Sequence, residues 1–330
     1  MLPIGIVVNP SSGKDIRRLT AKASVFDNRE KAAIVTRAVA GAIAAGATDI
    51  RYMDDSHGLA ASAFDDLDVG TPVPCPRSAT ALDTLEAAAN LKEMGCCAVM
   101  VLGGDGTNRA FVKGWQDAVL LPLSTGTNNV FPVFAEATVA GSVLGLLGAE
   151  KLDPIEVSHT TKIIYIEIEG EQPDVALIDA VITTDDFVGA RALLDAEAIK
   201  VAVLTRAEPA AVGITSLGGL LQPVSDADEH GLVLELGDGK GAGKGAVKLK
   251  YAAPLAPGLY AEIKVKMVKQ QPLDVSFSYS GPGILALDGE RERVIGPGQK
   301  LTFRISRQGP RVLNIDKAMK LAACRGLFKR

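Results

Sequence analysis

The sequence predicts an α/β domain built on a doubly wound parallel sheet, followed by a β-rich domain. Two observations predict this. Through about residue 150, short apolar runs alternate with helical periods, and three of those runs end in glycine-punctuated loops. Beyond that point the pattern changes to period-two alternation, as in half-buried antiparallel strands. A length of 330 residues suits two domains.

In order, Ile4 to Val8 reads as a strand stopped by Asn9-Pro10. Asp27 opens a helix with Glu30 three residues on, as in a capping box, and Ile34, Val35, Ala38, Val39 and Ala42 share one face up to Gly46. Asp49 to Met53 is a second strand, Leu59 to Leu67 a short helix, and Thr71–Pro76 a Pro-rich segment. A helix over Thr80 to Met94 ends at Gly95, and the continuous apolar run Cys96 to Leu102 is a strand covered on both faces. Gly103 to Thr107 leads into another helix, and Val119 to Leu123 is a further buried strand. Alternation then marks Lys162 to Glu169, Gly231 to Leu236, Val247 to Tyr251, Tyr260 to Val268, Asp274 to Tyr279 and Leu301 to Ser306. Val188 to Lys200 has helical spacing. The expected domains are 1–150 and 151–315, with 316–330 returning as a C-terminal helix.

Composition excludes several classes. Lys+Arg 35 against Asp+Glu 39 gives a net charge of −4, with no basic surface for nucleic acid or anionic membranes. Aromatics are 5%, too few for base-stacking platforms. No apolar stretch reaches the about 20 residues of a membrane span, and the N-terminus lacks a signal-peptide pattern. A cytoplasmic protein is expected. Cys75, Cys96, Cys97 and Cys324 form no CxxC pair and have no zinc spacing with the three histidines; they read as buried thiols. No metal-ligand set is expected from side chains alone.

The chemistry is expected in the three loops, because ligands of open α/β sheets bind at the carboxyl ends of the strands. The loops are Asn9-Pro10-Ser11-Ser12-Gly13-Lys14, Gly103-Gly104-Asp105-Gly106-Thr107-Asn108, and Ser124-Thr125-Gly126-Thr127-Asn128-Asn129. Small residues let backbone N–H groups approach phosphate oxygens, and hydroxyls and amides add donors. Neither standard phosphate motif is present: Gly13-Lys14 is followed by Asp15, with Val8 at the first-glycine position of a P-loop, and GxGxxG is missing. Asp105 stands between two glycines, where it can take a proton from a substrate hydroxyl or stabilise the turn as an Asx residue; spacing leaves both open. Thr107 reads as a phosphate ligand, the N-cap of the next helix, or both.

Gly103-Gly104-Asp105-Gly106-Thr107 resembles the GGDGT signature of the superfamily of NAD kinases, diacylglycerol kinases and sphingosine kinases. Asn9-Pro10-x-Ser-Gly-Lys is similar to its first glycine loop, Pro122 to Asn129 to its third, and Asp288-Gly289-Glu290 to its DG turn. The longer strings NPSSGKDIRRL, ASVFDNREK, GGDGTNRA and LSTGTNNVFP resemble the ATP-NAD kinase branch called acetoin-catabolism protein X. The resemblance implies an α/β domain, a β-sandwich-like second domain, and ATP with Mg²⁺ bound in a cleft between them. It makes Asp105 the general base or metal-linked carboxylate and gives the three loops the nucleotide phosphates. Asp179, Asp288 and Glu290 join the binding set, NAD becomes the acceptor, and homo-oligomers are expected. It also implies two departures. Where NAD kinases carry an Asn before the acid, this sequence has Ile178-Asp179, and their NAD-clasping segment is replaced by Gly213 to Gly219.

Overall fold

A computed structural model describes residues 1–13, 26–65, 67, 69–126, 128–184, 196–237 and 247–329. These fall into two compact units. One holds the described residues up to Thr161 together with Gly309–Arg330; the other is Lys162–Gln308.

The first unit carries β1 (Ile4–Val8), α1 (Asn28–Ala45), β2 (Ile50–Met53), β3 (Gly70–Val73), α2 (Ala81–Glu93) and β4 (Val99–Gly103). It continues with α3 (Asp105–Gly114), β5 (Val119–Ser124), α4 (Ala137–Gly148) and β6 (Ser158–Thr160), and regains a returning strand Arg311–Leu313 and helix Ile315–Cys324. The sheet order is β3-β2-β1-β4-β5-returning strand-β6. All neighbours pair in parallel except β6. The chain moves outward from β1 to β3 and resumes on the other side with β4, so the switch point lies between β1 and β4.

Local chemistry explains the boundaries. The Asp27 side chain accepts from Glu30 N, and Gly46 closes α1 in the left-handed region at φ 115°. Pro72 is tolerated because β3 is the sheet edge. Helices α1 and α4 meet backbone to backbone: a Cβ on Gly41 would fall 2.0 Å from the Thr138 carbonyl oxygen, and one on Gly141 1.9 Å from that of Ala38.

Two expectations are corrected here, and a third meets the described residues only at its end. Leu59 to Leu67 is not a helix but holds a 3-10 turn at Ala61–Ala63, because buried Asp55 accepts from His57 N and Ala60 N while Phe64 stacks on Tyr52 at 4.6 Å. Val188 to Lys200 lies mostly outside the described residues, and its last two positions begin a strand over Ile199–Leu204. The thiols are not uniformly buried: Cys96 is buried, Cys75 and Cys97 are half-buried and Cys324 is exposed. Burial pushes Cys96 up to about 12 and Cys97 up to about 11, which leaves both as unreactive thiols.

The second unit is antiparallel. Its strands are β7 (Ile163–Ile168), β8 (Asp174–Ala176), β9 (Asp179–Thr183), β10 (Ile199–Leu204), β11 (His230–Leu236) and β12 (Leu249–Ala256). They are followed by β13 (Leu259–Pro272), β14 (Ser276–Ser280), β15 (Gly283–Leu287), β16 (Glu290–Ile295) and β17 (Lys300–Ser306), and α5 (Ile214–Gly219) follows β10. Seven strands run β12-β13-β11-β10-β9-β15-β16 and four run β14-β17-β7-β8. Ile164, Ile166, Phe303 and Ile305 of the smaller sheet share one core with Val201, Val233 and Leu285 of the larger. Leu232 and Leu234, facing the opposite way, pack with Leu217 of α5. The result is a β-sandwich-like domain following an α/β domain.

Candidate active site

The three glycine loops leave the carboxyl ends of β1, β4 and β5, adjacent strands beside the switch point. In the first, Asn9 Oδ1 accepts from Ser11 N at 2.8 Å, an Asx turn, and Ser12 Oγ donates to the Asn9 carbonyl at 2.8 Å. Asn9 Nδ2 reaches the second loop, donating to Thr107 Oγ1 at 2.8 Å. Gly13 has φ 66°, and a Cβ there would meet the Thr125 carbonyl oxygen of the third loop at 2.9 Å.

Gly104 is the N-cap of α3, so Thr107 is not the cap but lies within the first turn. A Cβ on Gly103 would sit 2.5 Å from Thr107 Cβ, and one on Gly104 2.8 Å from Asn129 Oδ1. Asn108 is fully buried: its Nδ2 donates to the Gly104 carbonyl at 2.9 Å, and its Oδ1 has no partner among the described residues. This amide is turned inward and shapes the loop from beneath.

Asp105 opens α3. Its Oδ1 accepts from Val130 N at 3.0 Å and Phe131 N at 2.8 Å, and its Oδ2 from Val130 N at 3.1 Å. The carboxylate therefore fixes the exit of the third loop. Within the third loop, Ser124 Oγ donates to the Gly126 carbonyl at 2.7 Å and Asn129 Nδ2 donates to Ser124 Oγ at 2.8 Å. Thr125 is 1% exposed, with Oγ1 unpartnered among the described residues. Gly106, Asn128 and Asn129 are half-buried. Lys14 and Thr127 lie outside the described residues.

The remaining predicted residues belong to the second unit. Asp288 Oδ2 accepts from Leu177 N at 2.8 Å, and its Oδ1 from Ile178 N at 2.7 Å and Asp179 N at 3.1 Å. Asp288 and Gly289, at φ 49° and 81°, make the two-residue turn between β15 and β16, the conformation Asp-Gly favours. On the other side, Thr205 Oγ1 donates to the Leu177 carbonyl at 2.7 Å. The Leu177–Asp179 segment is thus pinned at both faces; Ile178 is fully buried, Asp179 is buried and Glu290 is exposed.

Residues 4–150 match the ATP-NAD kinase N-terminal domain family, and residues 162–308 the acetoin catabolism protein X C-terminal domain family. Acetoin catabolism protein X of Cupriavidus necator is 34% identical over 344 residues, an alignment covering 99% of this chain and 94% of that protein. The chain belongs to the acetoin catabolism protein X family. For this member of the family, the crystal structure of yeast NADH kinase complexed with NADH is a fold match: TM-score 0.53, 12% identity, and coverage of 98% of this chain and 86% of that one. The two-domain architecture is therefore NAD kinase-like.

In this acetoin catabolism protein X family member, sequence reasoning missed Lys31 and Thr205. Lys31 is fully buried on α1, and its Nζ donates to the carbonyls of Asn9, Pro10 and Ser12 and to Asn28 Oδ1. The available signal was spacing: Lys31 precedes Val35 by four residues and Ala38 by seven, so it falls on the apolar stripe. Among the described residues no group of three or more His, Cys, Asp or Glu side chains gathers to hold a metal. Mg²⁺ bound through one carboxylate and substrate phosphates remains compatible with this donor set, since that ion rarely uses an all-protein cage. No described helix is long and apolar enough to cross a membrane.

Proposed function

We propose that the chain transfers the γ-phosphoryl group of ATP to a hydroxyl of a small molecule, with NAD and its 2′-OH as the leading acceptor and NADP as product. The observation that supports this is the meeting of three loops at the switch point, with one carboxylate at the first turn of α3. In this reading residues 1–150 form the nucleotide-phosphate-binding domain, 316–330 its returning helix, and 151–315 the substrate domain. The Gly13 N–H and the hydroxyls of Ser11 and Thr125 hold phosphate oxygens; Asn9, Ser12, Ser124, Gly126, Asn128 and Asn129 shape the loops that present them, and Lys14 and Thr127 join the set by the resemblance. Gly103, Gly104 and Gly106 allow the close approach. Mg²⁺, when bound with the triphosphate, neutralises its charge.

Asp105 takes the proton of the acceptor hydroxyl as its oxygen bonds to the γ-phosphorus and the bond to the ADP oxygen breaks. Asp179 and Glu290 serve the acceptor, and Asp288 holds the Asp179 backbone in place. A cytoplasmic, homo-oligomeric enzyme is part of the same reading.

A second enzymatic reading, a different hydroxyl acceptor, is favoured by Ile178: a buried apolar side chain occupies the position where the resemblance expects an amide. A nucleotide sensor without turnover is the third outcome of the test, which assays NADP formation from ATP, Mg²⁺ and NAD. Asp105→Asn removes the base while an amide oxygen keeps the Oδ1 bonds to Val130 and Phe131; its NH₂ then faces Val130 N, so an unfolding midpoint is measured beside the assay. Its expected effect is a fall in kcat of about 10²-fold or more with ATP binding retained. ATP binding without NADP in the wild type moves the acceptor to another hydroxyl or the protein to a sensor. Unchanged turnover in Asp105→Asn removes Asp105 from the mechanism.

A further inference from the structure

We infer that Lys31 is a positioning residue for the phosphate chain, acting through the backbone of the first glycine loop; the inference rests on the nucleotide reading above. Its ammonium lies beneath the loop, and its three N–H groups are shared among these acceptors of the described residues: the carbonyls of Asn9 at 3.0 Å, Pro10 at 3.0 Å and Ser12 at 2.6 Å, and Asn28 Oδ1 at 3.2 Å. Because a trans peptide holds its C=O and N–H on opposite sides, a carbonyl turned toward Lys31 directs its partner N–H away from it. The N–H groups of Ser11 and Ser12 are already bonded, to Asn9 Oδ1 and the Asn9 carbonyl. Pro10 has none. The Ser12–Gly13 peptide, whose carbonyl makes the shortest bond to the ammonium, therefore aims the Gly13 N–H at the opposite face of the loop. Gly13 itself packs on the third loop, where a Cβ would meet the Thr125 carbonyl oxygen at 2.9 Å and where the buried Thr125 hydroxyl has no partner among the described residues.

Lys31 thus does two things. It turns carbonyl oxygens, which repel phosphate, away from the ligand face. It also puts a desolvated positive charge one peptide layer beneath that face, where water screens it little. Packing alone does not call for this side chain: a fully buried lysine on the apolar stripe of α1 is costly unless its ammonium is hydrogen-bonded. These shared bonds meet that cost and fix the loop in the process.

The experiment is an equilibrium titration of the full chain with Mg²⁺·ATP and, separately, with adenosine. It compares wild type, Lys31→Met and Lys31→Gln, the last of which keeps two donors and loses the charge and so serves if Lys31→Met does not fold. ATP affinity is expected to fall by about tenfold or more in both variants while adenosine affinity stays within about twofold, because only the phosphate-facing groups are disturbed. A merely structural lysine would weaken both ligands together, and that result, or unchanged ATP affinity in a folded variant, overturns the inference. Absence of ATP binding by the wild type overturns the nucleotide reading itself, and the inference with it.

Discussion

Asn9 Nδ2 donates to Thr107 Oγ1 at 2.8 Å, joining two loops that are 98 residues apart in sequence. Asn9 follows β1 and Thr107 sits in the first turn of α3, so the bond spans the switch point. Its other carboxamide atom holds Ser11 N, which makes Asn9 the common member of a turn and a cross-link. Removing either partner strands a polar atom that is mostly shielded from water. Asn9→Ala and Thr107→Val are each expected to lower stability, and the double variant to lose less than their sum by about 1 kcal/mol. Urea denaturation of the four proteins measures the coupling; strict additivity would mean that the loops hold each other by other contacts.

Asp288 gives a second, independent expectation. Its carboxylate accepts three backbone N–H groups from residues 177–179, each buried with it. Asp288→Asn puts an NH₂ group against at least one N–H donor. A loss of about 2 kcal/mol is expected, the cost of a buried donor left unsatisfied. Thermal unfolding of the second unit would report it. An unchanged midpoint would show that the DG turn holds without the carboxylate.

Much of this was legible in the sequence, and the boundary of legibility is physical. Asp27, Glu30 and Gly46 announce the ends of α1 because capping and a left-handed residue act within a few positions. The strands at Ile4–Val8 and Val119–Ser124 read clearly because parallel strands buried on both faces are continuously apolar. The bonds of Asp288 were invisible: they span 109 to 111 residues, and no local pattern ties a hairpin turn to a strand start so far away. Lys31 is intermediate. Its place on the apolar stripe could be counted, but the carbonyls that receive its ammonium belong to a loop 19 to 22 residues upstream. Asp105 shows the same limit: two glycines around a carboxylate suggest freedom, whereas it is tied to Val130 and Phe131 across 25 and 26 residues.

The α1–α4 contact leads to a packing expectation. Gly141 brings α4 so near α1 that a Cβ would stand 1.9 Å from the Ala38 carbonyl oxygen, a backbone atom that cannot rotate away. Gly141→Ala is therefore expected to cost about 3 kcal/mol, although alanine is the better helix former by about 1 kcal/mol. Gly296→Ala is the comparison, since its Cβ would meet only Gln299 Oε1 at 3.8 Å. Denaturation midpoints should separate the two; equal effects would mean that the helices slide apart at little cost.

Lys162 gives a pH dependence on the alkaline side. It is 1% exposed, and its Nζ donates to the carbonyls of Ser225 and His230, each at 2.8 Å. Burial lowers it from the usual 10.5 to about 8; Arg307 and Arg206 push the same way, while Asp226 and Asp228 oppose them. With the folded value below the unfolded one, the unfolded chain binds more protons between these limits, so stability rises with pH there. Below about 8 both states are protonated and the cost of the buried charge is fully present; above 10.5 neither is charged and the dependence ends. Subtracting the unfolding free energy of Lys162→Met from that of the wild type isolates this group. The difference should climb between about 8 and 10.5 by at most about 1.4 kcal/mol per pH unit. A difference that stays flat between about 8 and 10.5 and falls only above 10.5 would mean that Asp226 and Asp228 outweigh burial, and that Lys162 serves the second unit as one half of an ion pair.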